Sequence, residues 1–466
     1  MTVQELAARL DRLPVSRFHR LIVVCLAFTF FCELADLNEF AYAAPGIIKF
    51  LHITVNDVAA ITSAGFFGMF IGAAIGGWIA DLFGRRRGLI WSVIWFSVFS
   101  IINGLAFNVP TLLIARFLTG IGMSSLTVIG ITYLAELMPK DRRGRLQAAT
   151  LGIGSLGVPI IAGIALLVIP LGPDGWRLVF IFGGFGLVLL LFTRVLPESP
   201  RWLLHHGKSD AAERILARLE EAVVQDRGEL PPINPVNVPS EDQRYPLRML
   251  FTGSLLRRTV MLWLVWIFQT LGVYGFASWV PTLLAAHGFS LVKSLTFTFL
   301  SALGYVPGAF FAWPLSDRYG RRWPIVIVSI LLALFGLLFG LSFNAVAITV
   351  FGFLVSFFIY TFAALLYVYT PELYPTAIRN RGTGLAYGLG RAANVIGPLI
   401  VAFILLHYGY LAVFVYLAIA WLIVCLLVGV LGVNTGKISL EELHPVQVRS
   451  DELPVSIPSN PTSTLP

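Results

Sequence analysis

The stretch GGWIADLFGRRR, residues 76–87, decides the fold because it occurs twice. In FAWPLSDRYGRRW, residues 311–323, its Asp81, Gly84, Arg85 and Arg86 return as Asp317, Gly320, Arg321 and Arg322, each 236 positions on. A second pair keeps that register. YLAELMPKDRRGR (133–145) matches YTPELYPTAIRNR (369–381), setting Tyr133, Glu136, Leu137, Pro139, Arg143 and Arg145 on Tyr369, Glu372, Leu373, Pro375, Arg379 and Arg381. Two separate motifs that share one offset mean an internal duplication.

Between the motifs the chain is apolar. Of its 466 residues 57% are hydrophobic and only 12% charged, more apolar surface than a soluble domain of this length buries. Stretches of about 20 apolar residues, enough to cross a bilayer, are read at 20–43, 58–80, 88–108, 111–137, 147–170, 176–196, 258–285, 294–316, 323–343, 345–370, 383–406 and 409–433. Six lie on each side of a polar linker, so both copies have the same orientation. The expected fold is an all-α membrane protein of twelve transmembrane helices in two parallel six-helix bundles. The bundles are expected at 1–196 and 258–433, joined by a linker, 197–257, and followed by a largely disordered tail, 434–466. Within the linker Ala212, Ile215, Leu216, Leu219 and Val223 have the spacing of a short amphipathic helix.

The net charge of +8 is best read by position. Lys and Arg gather at the N-terminus and in alternate loops, as at Arg85, Arg86 and Arg87 or Lys140, Arg142 and Arg143. This places both termini and the linker in the cytoplasm, in a multi-pass protein of the cytoplasmic (inner) membrane; the basic excess is an orientation signal and not a nucleic-acid footprint. The segment before the first span is too long and too charged for the leader of a cleaved signal peptide. Cys25, Cys32 and Cys425 all fall within spans and are expected as packing residues.

With ELMPKDRRGR (136–145) and PESPRWLL (197–204) beside the repeated first motif, the chain resembles the major facilitator superfamily over about 18–443. PESPRWL points to the branch that holds sugar porters, organic-ion carriers and niacin carriers. LDRLPVSRFHR (10–20), ELAD (33–36) in place of Asp-x-x-Asp, GVYGFASWVPTLL (272–284) and GLGRAANVIGP (388–398) are similar to the niacin and aromatic-acid proton symporters. The resemblance implies a secondary active transporter that imports a small organic acid, aromatic or heteroaromatic, with protons, by alternating access. A sugar or polyol proton symporter is the alternative, although the glutamine-rich motif of the seventh span is reduced to a single Gln269. A transporter-like nutrient sensor is a third reading.

An ATP-driven pump needs a phosphate loop, and the nearest stretch, HHGKSD, has Trp202 where the first glycine belongs. No metalloprotease, paired cysteine–histidine or nucleophile-elbow motif is present, so no enzyme activity, cofactor or metal is expected. The expected partners are a small-molecule substrate, protons and the lipid bilayer, with the chain acting as a monomer.

Ionisable groups inside the spans are the candidate site. At about 1.5 Å per residue, Glu33 and Asp36 lie roughly 20 and 24 Å along the first span. Arg116 lies roughly 9 Å below the outer surface on the fourth, at a similar height. Asp36 and Glu33 are expected to carry the coupling proton; a permanent structural pair with Arg116 is the competing reading. Glu39 turns partly aside, as a rim residue at the outer mouth.

Arg391 is expected to fix a substrate carboxylate through its two-pronged guanidinium, with Asn394 one turn on; a helix-packing arginine is its alternative. Gln269, Tyr274 and Tyr360 would add hydrogen bonds and an aromatic wall, with Arg116 also near the substrate. Trp279 reads as an interface anchor, and the glycines around Pro159 as close helix packing with a bend. Asp81, Arg85, Arg86, Glu136, Arg143, Asp317, Arg321, Arg322, Glu372 and Arg379 are expected to form a cytoplasmic gate of ion pairs; orientation alone is the competing reading.

Overall fold

The computed structural model describes residues 1–193, 195–233, 247–375 and 378–435. Among these, twelve helices are long and apolar enough to cross a membrane: Arg17–Leu51, Val55–Phe83, Arg85–Leu105, Val109–Leu137, Arg142–Leu171, Gly175–Phe192, Leu255–Ala277, Leu291–Ala312, Arg322–Leu341, Ala345–Glu372, Arg381–Tyr408 and Tyr410–Leu431. They are numbered below in that order. The expected tail, 434–466, lies outside the described residues beyond Thr435.

Local chemistry sets the ends. Thr54 and Asp57 form a reciprocal cap on the second span, and Asn108 with Thr111 does the same on the fourth, so the first free amides of each helix are satisfied. Gly84 (φ 102°) and Gly320 (φ 76°) occupy backbone conformations that side chains disfavour, and they turn the chain directly from span 2 into span 3 and from span 8 into span 9. That is why the repeated motif carries glycine before its arginines.

The duplication extends to individual hydrogen bonds. Arg85 pairs with Glu136 at 3.1 Å, and 236 positions on Arg321 pairs with Glu372 at 3.1 Å. Arg86 donates to the Thr193 carbonyl at 2.9 Å and Arg322 to that of Gly429 at 2.5 Å. Tyr133 donates to the Pro197 carbonyl and Tyr369 to that of Val433. Ser125 donates to the Gly72 carbonyl at 2.8 Å and Thr361 to that of Gly308 at 2.9 Å.

The last pair marks a backbone-to-backbone seam. A Cβ on Gly68 would lie 2.0 Å from the Phe117 carbonyl oxygen, and one on Gly72 would lie 2.2 Å from that of Ile121. In the other copy, Gly304 faces the Phe353 oxygen at 2.4 Å and Gly308 that of Phe357 at 2.0 Å. Spans 2 and 4, and likewise 8 and 10, touch through their main chains because glycine leaves the room. Gly157 in turn abuts the Phe31 carbonyl on span 1, 2.2 Å from its would-be Cβ. The fifth span is broken beside it, between Lys140–Gly154 and Gly157–Val168, just before Pro159.

The buried apolar cores reveal how the halves meet. Residues of the first half that lie away from the termini, such as Phe40, Tyr42, Ile61, Val158 and Trp176, belong to one continuous core with the second half. Those toward the termini, including Leu26, Leu89, Leu126 and Leu137, form a separate cluster of first-half residues alone. Among the described residues the two halves therefore share a core on the side away from the termini and none on the terminal side.

Two sequence expectations need correction. The first helix does not end near residue 43 but runs to Leu51, where His52 (φ 53°) stops it. The seventh span breaks after Ala277 and resumes as a short helix, Val280–Ala286. Trp279 sits at that break and is 1% exposed, so it is a core residue and not an interface anchor.

The linker carries the helices Pro200–His205 and Ser209–Arg227. The second packs Leu216, Leu219 and Val223 against Leu6, Leu10 and Leu13 of the N-terminal segment, whose helix spans Val3–Asp11. Arg9 reaches Glu213 at 2.7 Å and Glu220 at 2.6 Å, and Arg12 meets Glu220 at 2.6 Å. Cys25, Cys32 and Cys425 are free thiols within spans.

Candidate functional site

Spans 1 and 4 bring Asp36 and Arg116 together. The Arg116 Nη1 lies 3.4 Å from Asp36 Oδ2, and the two side chains are 8% and 0% exposed. The guanidinium also lies over the Phe40 ring, 5.6 Å from its centre. Phe40, Phe66, Met69, Arg116, Met123 and Ser278 line a small cavity beside this pair.

Glu39 is not at a rim. It is fully buried, with Oε1 3.7 Å from Arg116 Nη1 and accepting a hydrogen bond from Ser100 Oγ at 2.8 Å. The reason is geometric: residues three apart on a helix share a face, and because the helix continues to Leu51, Glu39 lies three turns inside its end. Gly183 of span 6 closes the site, since a Cβ there would fall 2.8 Å from Asp36 Oδ1.

Glu33 is buried one turn below Asp36 and accepts a hydrogen bond from Thr127 of span 4. Arg391, from span 11, reaches across the halves, donating from Nη1 to Ser124 Oγ of span 4 at 2.6 Å. Among the described residues no carboxylate oxygen lies within 4.0 Å of its guanidinium. One turn on, Asn394 is buried and its Oδ1 accepts no hydrogen bond.

Aromatic rings surround this level. Tyr274 stands edge-on to Phe66 of the other half, with centroids 5.0 Å apart, and Tyr360 lies against Tyr305 at 4.7 Å. Tyr367 packs on Trp266 and Tyr387 yet is 56% exposed, so its ring faces open space inside the span region. Gln269 is buried, and its Nε2 donates to Thr270 Oγ1 at 2.6 Å on its own helix.

Sequence reasoning missed Ser124, Thr127, Ser100 and Tyr367. A signal existed for two of them. Arg116, Ser124 and Thr127 are spaced i, i+8 and i+11, one face of a helix.

The residues expected as a gate form pairs between neighbouring spans of one half. Arg85 bridges Asp81 at 2.9 Å and Glu136 at 3.1 Å, with the Asp81 side chain 74% exposed. Arg321 holds Glu372, which also accepts from Thr435 Oγ1 at 2.5 Å. Arg86 and Arg322 bond to carbonyls as described, Arg379 Nε donates to the Tyr374 carbonyl at 3.3 Å, and Arg143 lies within reach of the charges of Arg201 and Asp11. The Asp317 side chain lies outside the described residues. No group of three or more metal-ligating side chains occurs among the described residues.

Comparison with known proteins places this geometry in context. The sugar (and other) transporter family matches residues 21–446. The chain is 41% identical over 431 residues to the putative metabolite transport protein YyaJ of Bacillus subtilis (strain 168), covering 92% of this chain and 96% of the relative. It is 29% identical to the niacin transporter NiaP of Acinetobacter baylyi, covering 94% and 99%. Its fold is similar to a partially occluded inward-open conformation of the xylose transporter XylE from E. coli, with TM-score 0.72, 19% identity, and 88% and 97% of the two chains covered.

Proposed function

The chain belongs to the sugar (and other) transporter family of the major facilitator superfamily, and from that premise we propose that it imports a small aromatic or heteroaromatic acid together with protons. The observation that carries the reading is Arg391. A lone charge deep in a bilayer costs about 2.5–3.5 kcal/mol on insertion scales, yet among the described residues this guanidinium has a serine and no carboxylate within bonding reach. A substrate carboxylate supplies the missing anion, and the fork of the guanidinium suits it. Asn394 adds a polar group, and Tyr274, Tyr360 and Tyr367 offer faces for a ring.

Asp36, paired with Arg116, takes the coupling proton. Glu33, bonded to Thr127 and near Arg391, links the proton site to the substrate site. Residues 1–196 and 258–433 rock as two bodies joined by the 197–257 linker, with both termini in the cytoplasm, in a monomer of the inner membrane. In that orientation the side with the shared core is the outer one and the state described faces inward. On closure of the inner side, the ion pairs around Asp81, Arg85 and Glu136 and around Arg321 and Glu372 exchange partners.

Uptake of labelled nicotinate and benzoate into proteoliposomes tests the assignment. Arg391→Ala abolishes acid uptake if the reading holds. Undiminished acid uptake in that variant, or transport of neutral sugars or polyols in preference to acids, defeats it.

A further inference from the structure

Glu39 has no part in the scheme above, yet it is a fully buried carboxylate beside the proton site. We propose that Asp36 and Glu39 form one acid pair that holds a single proton between them against Arg116, which makes Glu39 a second proton-carrying residue. The transport consequence rests on the reading above; the pairing itself does not.

Charge comes first. Two carboxylates that are 0% exposed share one guanidinium, at 3.4 Å and 3.7 Å from the same Nη1. Both ionised, the cluster carries a net charge of −1 away from water, and a buried unpaired charge is strongly unfavourable. One proton brings it to neutrality.

Hydrogen bonding leads to the same count. Ser100 has one hydroxyl proton, offered to Glu39 Oε1 at 2.8 Å or to the Phe180 carbonyl at 3.0 Å. Asp36 Oδ1 and Glu39 Oε2 are buried and receive no donor from the protein. Both carboxyls meet the same Arg116 Nη1, at 3.4 and 3.7 Å, and two acceptors brought to one donor become a bonded pair only when one of them carries a proton. Space for another donor is closed on the side of span 6, where a Cβ on Gly183 would lie 2.0 Å from Ser100 Oγ and 2.8 Å from Asp36 Oδ1.

The groups facing the pair are few. Arg116 comes from span 4, Ser100 from span 3, and the Phe180 carbonyl from span 6, while Glu33 and Cys32 lie one turn back on the same helix. Loss of the proton to water leaves two carboxylates on Arg116, and its return restores one O–H; no other bond changes.

Infrared absorption of the purified full-length protein, with no solute added, tests this in the region of the protonated-carboxyl C=O stretch. At neutral pH the wild type is expected to show a component equal to one carboxyl. Asp36→Asn and Glu39→Gln should each remove that same component, Glu33→Gln should leave it, and Glu39→Asp should retain it at a shifted frequency. A component that survives in Glu39→Gln, or that disappears in Glu33→Gln alone, overturns the pairing. Should Glu39→Gln fail to fold, Asp36→Asn decides: survival of the component there also overturns it. Because no solute is present, the result stands whether the protein carries acids or sugars.

Discussion

Arg391 of span 11 donates a hydrogen bond to Ser124 of span 4, joining the two copies of the repeat at the level of Glu33. A bond from a charged donor contributes about 1.5–3 kcal/mol net. Ser124→Ala is therefore expected to shift the balance away from the state described here by about tenfold or more. Distances between spin labels on the outer ends of spans 1 and 7 would report it as a larger outward-open fraction.

Asp36→Asn is expected to stop uphill accumulation while leaving exchange of labelled solute across the membrane. The amide keeps the shape of the side chain but holds no exchangeable coupling proton, and Arg116 retains Glu39. Normal gradient-driven accumulation in this variant would remove Asp36 from the coupling role.

The glycine seams give a stability prediction with a built-in control. Gly72→Ala and Gly308→Ala press a methyl to 2.2 Å and 2.0 Å from a carbonyl oxygen, so each should cost about 1–3 kcal/mol or more. Gly77→Ala, which has nothing within 4 Å of its would-be Cβ, should be nearly neutral. Thermal unfolding in detergent separates the three.

The latch between the N-terminal helix and the linker should loosen in acid. Burial alone would push the Glu220 carboxyl up, but hydrogen bonds from Arg9 and Arg12 outweigh it and hold the group below its ordinary value. Its contribution is present above the undocked pKa and is lost as pH falls through the lower, docked one. Glu220→Gln should reproduce the acid effect at neutral pH. Amide exchange over residues 3–13 is expected to rise about fivefold, in keeping with a partly exposed ion pair.

Much of the fold was legible because the duplicated motifs hold their spacing and the spans are long apolar runs. The 236-residue offset anticipated pairs such as Arg85–Glu136 and Arg321–Glu372, which recur in the structure. The site was legible only where charge stood out against an apolar background, as at Asp36, Arg116 and Arg391. Hydropathy does not mark where a long helix stops, so Glu39 was set near an edge that lies beyond Leu51. Trp279 was misread for a related reason: aromatic residues favour both membrane interfaces and tight cores, and only the break after Ala277 decides between them. The bond from the Gln269 amide to the neighbouring Thr270 was not legible, because a span-level reading does not weigh such local pairs.

The main-chain contact of span 2 with span 4, and of span 8 with span 10, makes each pair behave as a single stiff beam. The side chains at the seam are short, Ser125 and Thr361 donating across it to glycine carbonyls, so sliding or parting the helices would have to break both those bonds and the carbonyl-to-Cα packing. Span 1 meets span 5 in the same way at Gly157 and the Phe31 carbonyl, so each half is braced at more than one place by glycines that no larger residue can replace without parting two helices.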